Sequence, residues 1–141
     1  MENTKHSGVG ILFVNDNGQI LLGLRDDKPN IPCPNCWDII GGHVEQGETP
    51  EECITREVKE EIGKTIENLN FYKKTDMPDR IEHTYWERAN IDIKQTILTE
   101  GQNLKWFTEK EIKELPEEKI AFCFKPIILA FLKDKPFKSA K

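Results

Sequence analysis

The stretch GHVEQGETPEECITREVKEEIG, residues 42–63, decides how this chain folds. Thr49 is a good helix N-cap, and Glu52 three residues later completes a capping box. The proline that follows the cap suits the first helical position, and Gly63 suits the left-handed residue that ends many helices. These local signals predict a helix over Pro50–Ile62.

One side of this predicted helix is apolar and a neighbouring side is acidic. The apolar stripe consists of Ile54, Val58 and Ile62, and the acidic group consists of Glu57, Glu60 and Glu61. At 3.6 residues per turn the three carboxylates fall within an arc of about 100°, where like charges repel. Gathered carboxylate oxygens suit a hard divalent cation such as Mg2+ or Mn2+. A solvated acidic face, offset by Arg56 and Lys59, is the alternative interpretation.

The glycines and charged residues around this helix resemble the signature of the Nudix hydrolases, and in particular of small MutT-like nucleotide pyrophosphohydrolases. The matching positions are Gly42, Glu48, Arg56, Glu57, Glu60, Glu61 and Gly63, with an aliphatic residue at Val58. Lys64 departs from the pattern, which has an aliphatic residue after the last glycine. The match is specific because seven fixed residues agree at fixed spacing.

The resemblance implies an α/β fold, a Nudix-type α/β/α sandwich with a mixed β-sheet between helices. It also implies a metal-dependent pyrophosphohydrolase that cleaves a nucleoside triphosphate or a related nucleoside diphosphate derivative by attack of water at phosphorus. The implied cofactor is Mg2+ or Mn2+. ADP-ribose or nucleotide-sugar hydrolysis is the alternative within the enzyme class, and a non-catalytic nucleotide-binding module is the alternative outside it.

The resemblance also assigns roles to individual residues. The expected metal ligands are the carboxylates of Glu57, Glu60 and Glu61 and the backbone carbonyl of Gly41, with Glu100 as a further carboxylate from a loop. Arg56 is expected to orient Glu57, and one of the carboxylates is expected to act as the general base. Glu48 and Gly42 are expected to orient the ligands without contacting the metal themselves. A solvated glutamate beside a turn glycine is the alternative for Glu100.

Two residues outside the signature are candidates for substrate binding. Arg25 ends a predicted hairpin strand at a position where relatives often contact the substrate. Trp37 could line the pocket, although a tryptophan just before a core strand more often packs in the interior.

The rest of the chain predicts strands and helices interleaved within a single domain, residues 1–141. A hairpin is predicted over Gly8–Arg25, a short strand over Trp37–Ile40 that stops at Gly41 and Gly42, and strands over Ile66–Lys73 and Ile81–Ile91. A less regular stretch follows over Ile93–Phe107, then a helix that opens with the capping box of Thr108 and Glu111, and a final helix over Ile127–Leu132.

Composition limits the function further. The chain has 141 residues and a formal net charge of −5, which disfavours a protein that coats nucleic acid. The resemblance implies a small nucleotide as the partner, and no long nucleic acid and no membrane are expected. No apolar run approaches the length of a membrane span, so a cytoplasmic protein is expected. The sequence leaves open whether the chain is a monomer or a homodimer.

The four cysteines do not form a complete metal-ligand set. Cys33 and Cys36 form a lone C-x-x-C in a proline-rich loop, whereas Cys53 and Cys123 stand apart. Loop cysteines without a chemical role are the favoured interpretation. Redox chemistry, or a zinc-stabilised interaction protein built around Cys33 and Cys36, is the alternative.

Overall fold

A computed structural model describes residues 5–98 and 101–138 of the chain. Its sheet is built on one strand, β1 (His6–Val14), which is buried from Gly8 onward. The other strands are β2 (Ile20–Leu24), β3 (Trp37–Asp38), β4 (Ile40–His43), β5 (Asn70–Asp76), β6 (Arg80–Arg88) and β7 (Asn103–Phe107). The helices are α1 (Pro50–Ile62), α2 (Glu109–Glu114) and α3 (Lys125–Asp134), with short 3-10 turns at Glu117–Lys119 and Ala121–Cys123. None of the helices in these described ranges is long and apolar enough to cross a membrane.

The sheet is mixed because β1 pairs with its neighbours in both directions. β6 runs parallel to β1 along its whole length. β4 runs antiparallel to β1, and β2 joins β1 antiparallel at the pair Val14 and Ile20. β2 in turn pairs antiparallel with β3 and β7, and β5 pairs antiparallel with β6.

Alternate residues of β1 contribute to two separate hydrophobic cores, because successive side chains of a strand point to opposite faces. Val9, Ile11 and Phe13 lie on the α1 side, whereas Leu12 and Val14 lie on the side of α2 and α3. The α1 side also contains Cys53, Ile54, Val58 and Ile62, and the other side contains Ile112, Ile128, Phe131 and Leu132. The predicted α/β/α sandwich with a mixed sheet is therefore confirmed.

Helix α1 begins and ends where the sequence predicts. The Thr49 hydroxyl accepts a hydrogen bond from the Glu52 N–H at 3.1 Å, and the Glu52 carboxylate accepts one from the Thr49 N–H at 2.9 Å. Gly63 ends the helix in the left-handed conformation, with φ of 69°. The capping box of Thr108 and Glu111 is also formed and opens α2. Each capping box joins residues only three apart in the sequence, so it fixes the start of its helix independently of distant contacts.

The predicted stop at Gly41 and Gly42 is wrong. β4 runs from Ile40 through both glycines to His43, because this segment pairs with β1. A Cβ atom at Gly41 would collide with the carbonyl of Val9 in β1. The glycine therefore permits a close approach of two backbones and does not end the strand.

The predicted strand over Ile66–Lys73 begins later, at Asn70. Just before it, the backbone N–H groups of Glu67 and Asn68 donate to the carboxylate of Glu87 at 2.7 and 2.6 Å. These amides are satisfied by a side chain and so need no strand partner. Among the described residues of the later irregular stretch, only Asn103–Phe107 forms a strand, β7.

Lys64, which departs from the family pattern, places its ammonium group near a buried carboxylate and over an aromatic ring. Its ammonium lies 3.6 Å from the buried Glu87 carboxylate and 5.8 Å from the ring centroid of Phe13. A long side chain of this kind covers apolar surface with its methylene groups. The change at Lys64 therefore concerns packing at the end of α1.

We predict that Thr49→Ala lowers the free energy of unfolding by about 1 kcal/mol, because the amide of Glu52 loses its acceptor. Chemical denaturation of the metal-free protein measures this change. Thr49→Ser is the matched control, because serine keeps the hydroxyl and should leave the stability close to that of the parent chain. Equal stability of the alanine and serine variants would show that the cap contributes nothing.

Candidate active site

The carboxylate of Glu57 lies directly on the backbone of Gly42. A Cβ atom at Gly42 would collide with the Glu57 carboxyl group and lie only 3.0 Å from its Oε1 atom. Helix α1 and strand β4 thus meet at a point where only glycine leaves room for the carboxylate. This contact places one acidic side chain of α1 at a defined position over the sheet.

Arg56 gathers the carboxylates around this contact. Its Nε and Nη2 atoms donate to Glu48 at 2.7 and 3.1 Å, and its Nη1 atom lies 3.1 Å from Glu60 and 3.4 Å from Glu57. The bidentate hydrogen bond from Arg56, with a second from the Glu45 N–H, lowers the pKa of Glu48 to about 2. Glu48 is therefore a fixed anion that holds Arg56 in place.

Glu61 faces an open cavity of about 610 Å3 beside the same contact. Gly41, from β4, lines this cavity together with Glu61. Arg25, Lys28, Asn103 and Leu104 form other parts of its wall. The cavity has the size of a small-molecule site, and it lies next to the acidic end of α1.

The donor atoms at this place fit a hard divalent cation. Glu57 and Glu61 stand four residues apart on α1, so their side chains are neighbours. Gly42 lies against the Glu57 carboxylate, and Gly41 lines the cavity together with Glu61. Glu60 lies against the same Nη1 atom of Arg56 as Glu57 does, and its side chain is 59% exposed. Within residues 5–98 and 101–138, no group of three or more His, Cys, Asp or Glu side chains is arranged to hold a metal ion. The predicted set of metal ligands therefore stays a prediction.

The remaining predicted residues have different positions. Glu100 lies outside the described residues, although Gly101 beside it lines the cavity. Arg25 also lines the cavity, where its Nη1 atom donates to Asp38 at 3.1 Å. Trp37 packs edge-on against Phe107, with ring centroids 4.9 Å apart, on the α3 side of the sheet.

Comparison with known proteins identifies the family. The NUDIX domain model matches residues 4–127. The chain belongs to the Nudix family. Nudix proteins generally need a divalent metal ion, which agrees with the oxygen donors of α1 and β4.

Solved structures and curated sequences agree with this assignment. The MutT protein of Methanosarcina mazei Go1 has a TM-score of 0.76 at 21% identity, covering 96% of this chain and 99% of that one. The MutT NUDIX hydrolase of Burkholderia pseudomallei has a TM-score of 0.71 at 25% identity, covering 91% and 98%. The RNA pyrophosphohydrolase of Acinetobacter baylyi is 35% identical over 104 residues, or 72% of this chain and 56% of its own length. The chain spans little more than half the length of the curated relatives it matches.

A pair of buried charged residues on β6 was not predicted from the sequence. Arg80 and Glu82 are only 5% and 1% exposed, and they form an ion pair at 3.5 Å on the α3 side of the sheet. The guanidinium groups of Arg25 and Arg80 both lie over the ring of Phe122, at 4.9 and 4.6 Å from its centroid. Alternating polar residues along β6 were a visible signal, but such a pattern is more typical of a solvent-facing side.

Burial governs the charge of these carboxyl groups. It raises the pKa of Glu82 to about 7, although the positive charge of Arg80 opposes the rise. It raises the pKa of Asp38 to about 6, against the opposing effect of Arg25. Both groups therefore bind protons more tightly in the folded chain than in the unfolded chain.

We predict that the free energy of unfolding falls as pH rises from about 5 to about 8. Glu82 keeps its proton up to about pH 7 in the folded chain, against an ordinary pKa of 4.5, so the folded state binds more protons in this interval. The loss attributable to Glu82 is on the order of 3 kcal/mol.

Glu82→Gln should roughly halve this slope, because Asp38 still titrates, and it should leave the stability near pH 5 unchanged. Urea denaturation at several pH values measures both effects. Glu114→Gln, in an exposed ion pair with Lys110, is the control and should leave the slope intact. A slope unchanged by Glu82→Gln would contradict the assignment.

Proposed function

We propose that this Nudix chain hydrolyses a phosphoanhydride bond in a nucleoside triphosphate or a related nucleoside diphosphate derivative, with water as the nucleophile. The observation that carries the proposal is the contact of the Glu57 carboxylate with Gly42, beside a cavity lined by Glu61 and Gly41. Phosphoryl and nucleotidyl transfer require neutralised phosphate oxygens and an aligned water, and this arrangement supports both.

The residues that would hold a cation are Glu57, Glu61 and the carbonyl of Gly41, with Glu60 and Glu100 as further candidate ligands. Mg2+ or Mn2+ is the ion that such oxygen ligands favour. When bound, it would neutralise phosphate charge and so allow an acidic protein to bind a polyanion.

The chain's own side chains would prepare the site. Arg56 positions Glu57 through an ion pair at 3.4 Å and is itself fixed by Glu48. Arg25 and Lys28 supply positive charge at the cavity wall for the phosphates. One carboxylate of α1 would accept the proton of the attacking water.

A mononucleotide is the substrate that the cavity and charge support best. A volume of about 610 Å3 suits one small ligand, and the net charge of −5 disfavours a long polyanion. The 5′ end of a triphosphorylated RNA is the second candidate, because the curated relatives are RNA pyrophosphohydrolases. ADP-ribose and a nucleotide sugar are further candidate substrates, and nucleotide binding without turnover is the rival to catalysis. We also propose a cytoplasmic location for the protein. Its oligomeric state, monomer or homodimer, stays a prediction.

A substrate panel tests the proposal. Nucleoside triphosphates, ADP-ribose, a nucleotide sugar and a short 5′-triphosphorylated RNA are incubated with Mg2+, with Mn2+ or with excess chelator. We expect a nucleoside triphosphate to be cleaved fastest, with no turnover in chelator. Turnover that persists in chelator would contradict the metal-dependent mechanism, and binding of nucleotides without any turnover would favour the sensing module.

We predict that Glu61→Gln separates stability from activity. Without added cation, the variant should be as stable as the parent chain or more stable by a few tenths of a kcal/mol, because it relieves like-charge repulsion. Turnover should fall by roughly two orders of magnitude or more, because a neutral amide binds Mg2+ poorly. The rise in melting temperature on adding Mg2+ should shrink as well.

Glu60→Gln is the comparison for this variant. Glu60 does not line the cavity and its side chain is 59% exposed, so its loss should lower turnover less than the loss of Glu61. Melting curves with and without Mg2+ and one turnover assay measure all of these effects. If Glu61→Gln unfolds easily while its folded fraction stays fully active, Glu61 is structural.

A further inference from the structure

Cys33 and Cys36 stand at the two ends of one tight turn. Pro34 and Asn35 are the central residues of this turn, and both Cys33 and Asn35 have left-handed backbones, with φ of 49° and 59°. A turn brings its first and fourth Cα atoms within about 7 Å, and disulfides span Cα distances of about 4.4–6.8 Å. Both thiols are free and partly exposed, so a small reagent has access to them.

The turn belongs to the loop that fixes Arg25 at the cavity. The Arg25 N–H donates to the Cys36 carbonyl at 2.9 Å, and its Nε atom donates to the Pro32 carbonyl at 3.0 Å. The Gln102 amide donates both to the Arg25 carbonyl, at 2.7 Å, and to the Asn35 side chain, at 2.9 Å. A change in the shape of this turn would therefore shift the position of Arg25 at the cavity wall.

The thiol of Cys36 ties the turn to a second segment. Its Sγ atom donates to the carbonyl of Glu118 at 3.2 Å, in the 3-10 turn that precedes Ile120. Ile120 in turn forms a bridge with Trp37, the residue after Cys36. The reduced thiol of Cys36 thus adds a second attachment between the loop and this segment, beside the bridge of Trp37 with Ile120.

We propose that Cys33 and Cys36 form a reversible intramolecular disulfide that loosens the hold of this loop on Arg25. The oxidant is a small-molecule disulfide such as oxidised glutathione. One cysteine thiolate attacks its S–S bond, which forms a mixed disulfide and releases one thiolate. The second cysteine thiolate attacks the mixed disulfide and releases the other thiolate. In total two protein thiols lose two electrons and two protons, and the small disulfide is reduced to two thiols.

The two cysteines would act in a fixed order. Burial and the neighbouring Cys33 raise the pKa of Cys36, and its S–H is engaged with the Glu118 carbonyl. Cys36 is therefore the slower attacking group. The mixed disulfide forms first at Cys33, and Cys36 resolves it. Among the described residues, no third His, Cys, Asp or Glu side chain joins the pair in a metal site.

The experiment uses a Cys123→Ser background, because Cys123 is exposed, whereas Cys53 is buried and stays reduced. The folded protein is incubated with oxidised glutathione, and its thiols are then counted and its mass is measured. We expect two thiols to disappear, a mass lower by two hydrogens, and full reversal by reduced glutathione in excess. Cys36→Ser should instead accumulate a glutathione adduct at Cys33 faster than Cys33→Ser accumulates one at Cys36.

The effect of the Cys33–Cys36 disulfide on the cavity rests on the proposed function, and it is measured separately through the KM of the substrate. The oxidised form lacks the hydrogen bond to Glu118, so the KM of the substrate that the panel identifies should rise about two- to tenfold, with kcat little changed. The Cys33→Ser, Cys36→Ser double variant should show no redox effect. Retention of all thiols, or stable glutathione adducts on both cysteines, would overturn the disulfide. An unchanged KM of the oxidised protein would overturn its role at Arg25, and absence of any substrate would count only against the proposed function.

Discussion

The contact between the Glu57 carboxylate and the backbone of Gly42 is the constraint on which the candidate site depends. It requires β4 to pair closely with β1 in the sheet. Gly41 permits this pairing, because any larger residue there would collide with the Val9 carbonyl. It also requires α1 to dock its stripe of Ile54, Val58 and Ile62 on the sheet. Sheet pairing, helix packing and the acidic site are therefore parts of one arrangement.

The sequence predicted those features whose causes are local or periodic. The ends of α1 followed from Thr49, Glu52 and Gly63, because caps act on the nearest backbone amides and carbonyls. The mixed-sheet sandwich followed from the resemblance, and the alternation of buried residues along β1 explains it physically. The path of β4 could not be predicted, because a glycine that ends a strand and one that admits a neighbouring backbone look alike in sequence.

The buried charges had no local signal. Arg80 and Glu82 alternate along β6 as residues on a solvent-facing side would. Both are nevertheless buried on the α3 side of the sheet, where the Arg80 guanidinium lies over the ring of Phe122. The position of Phe122 depends on a left-handed backbone, with φ of 55°, which is uncommon for a bulky residue. Such an arrangement arises from contacts between segments that are distant in the sequence.

The most direct test of the account is the effect of Gly42→Ala on metal binding and turnover. The added methyl group occupies the place of the Glu57 carboxylate, so we predict a folded protein that has lost both its stabilisation by Mg2+ and its nucleotide hydrolysis. Circular dichroism confirms that α1 and the sheet persist in the sample measured. A folded Gly42→Ala variant that keeps full turnover and the full rise in melting temperature with Mg2+ would contradict it.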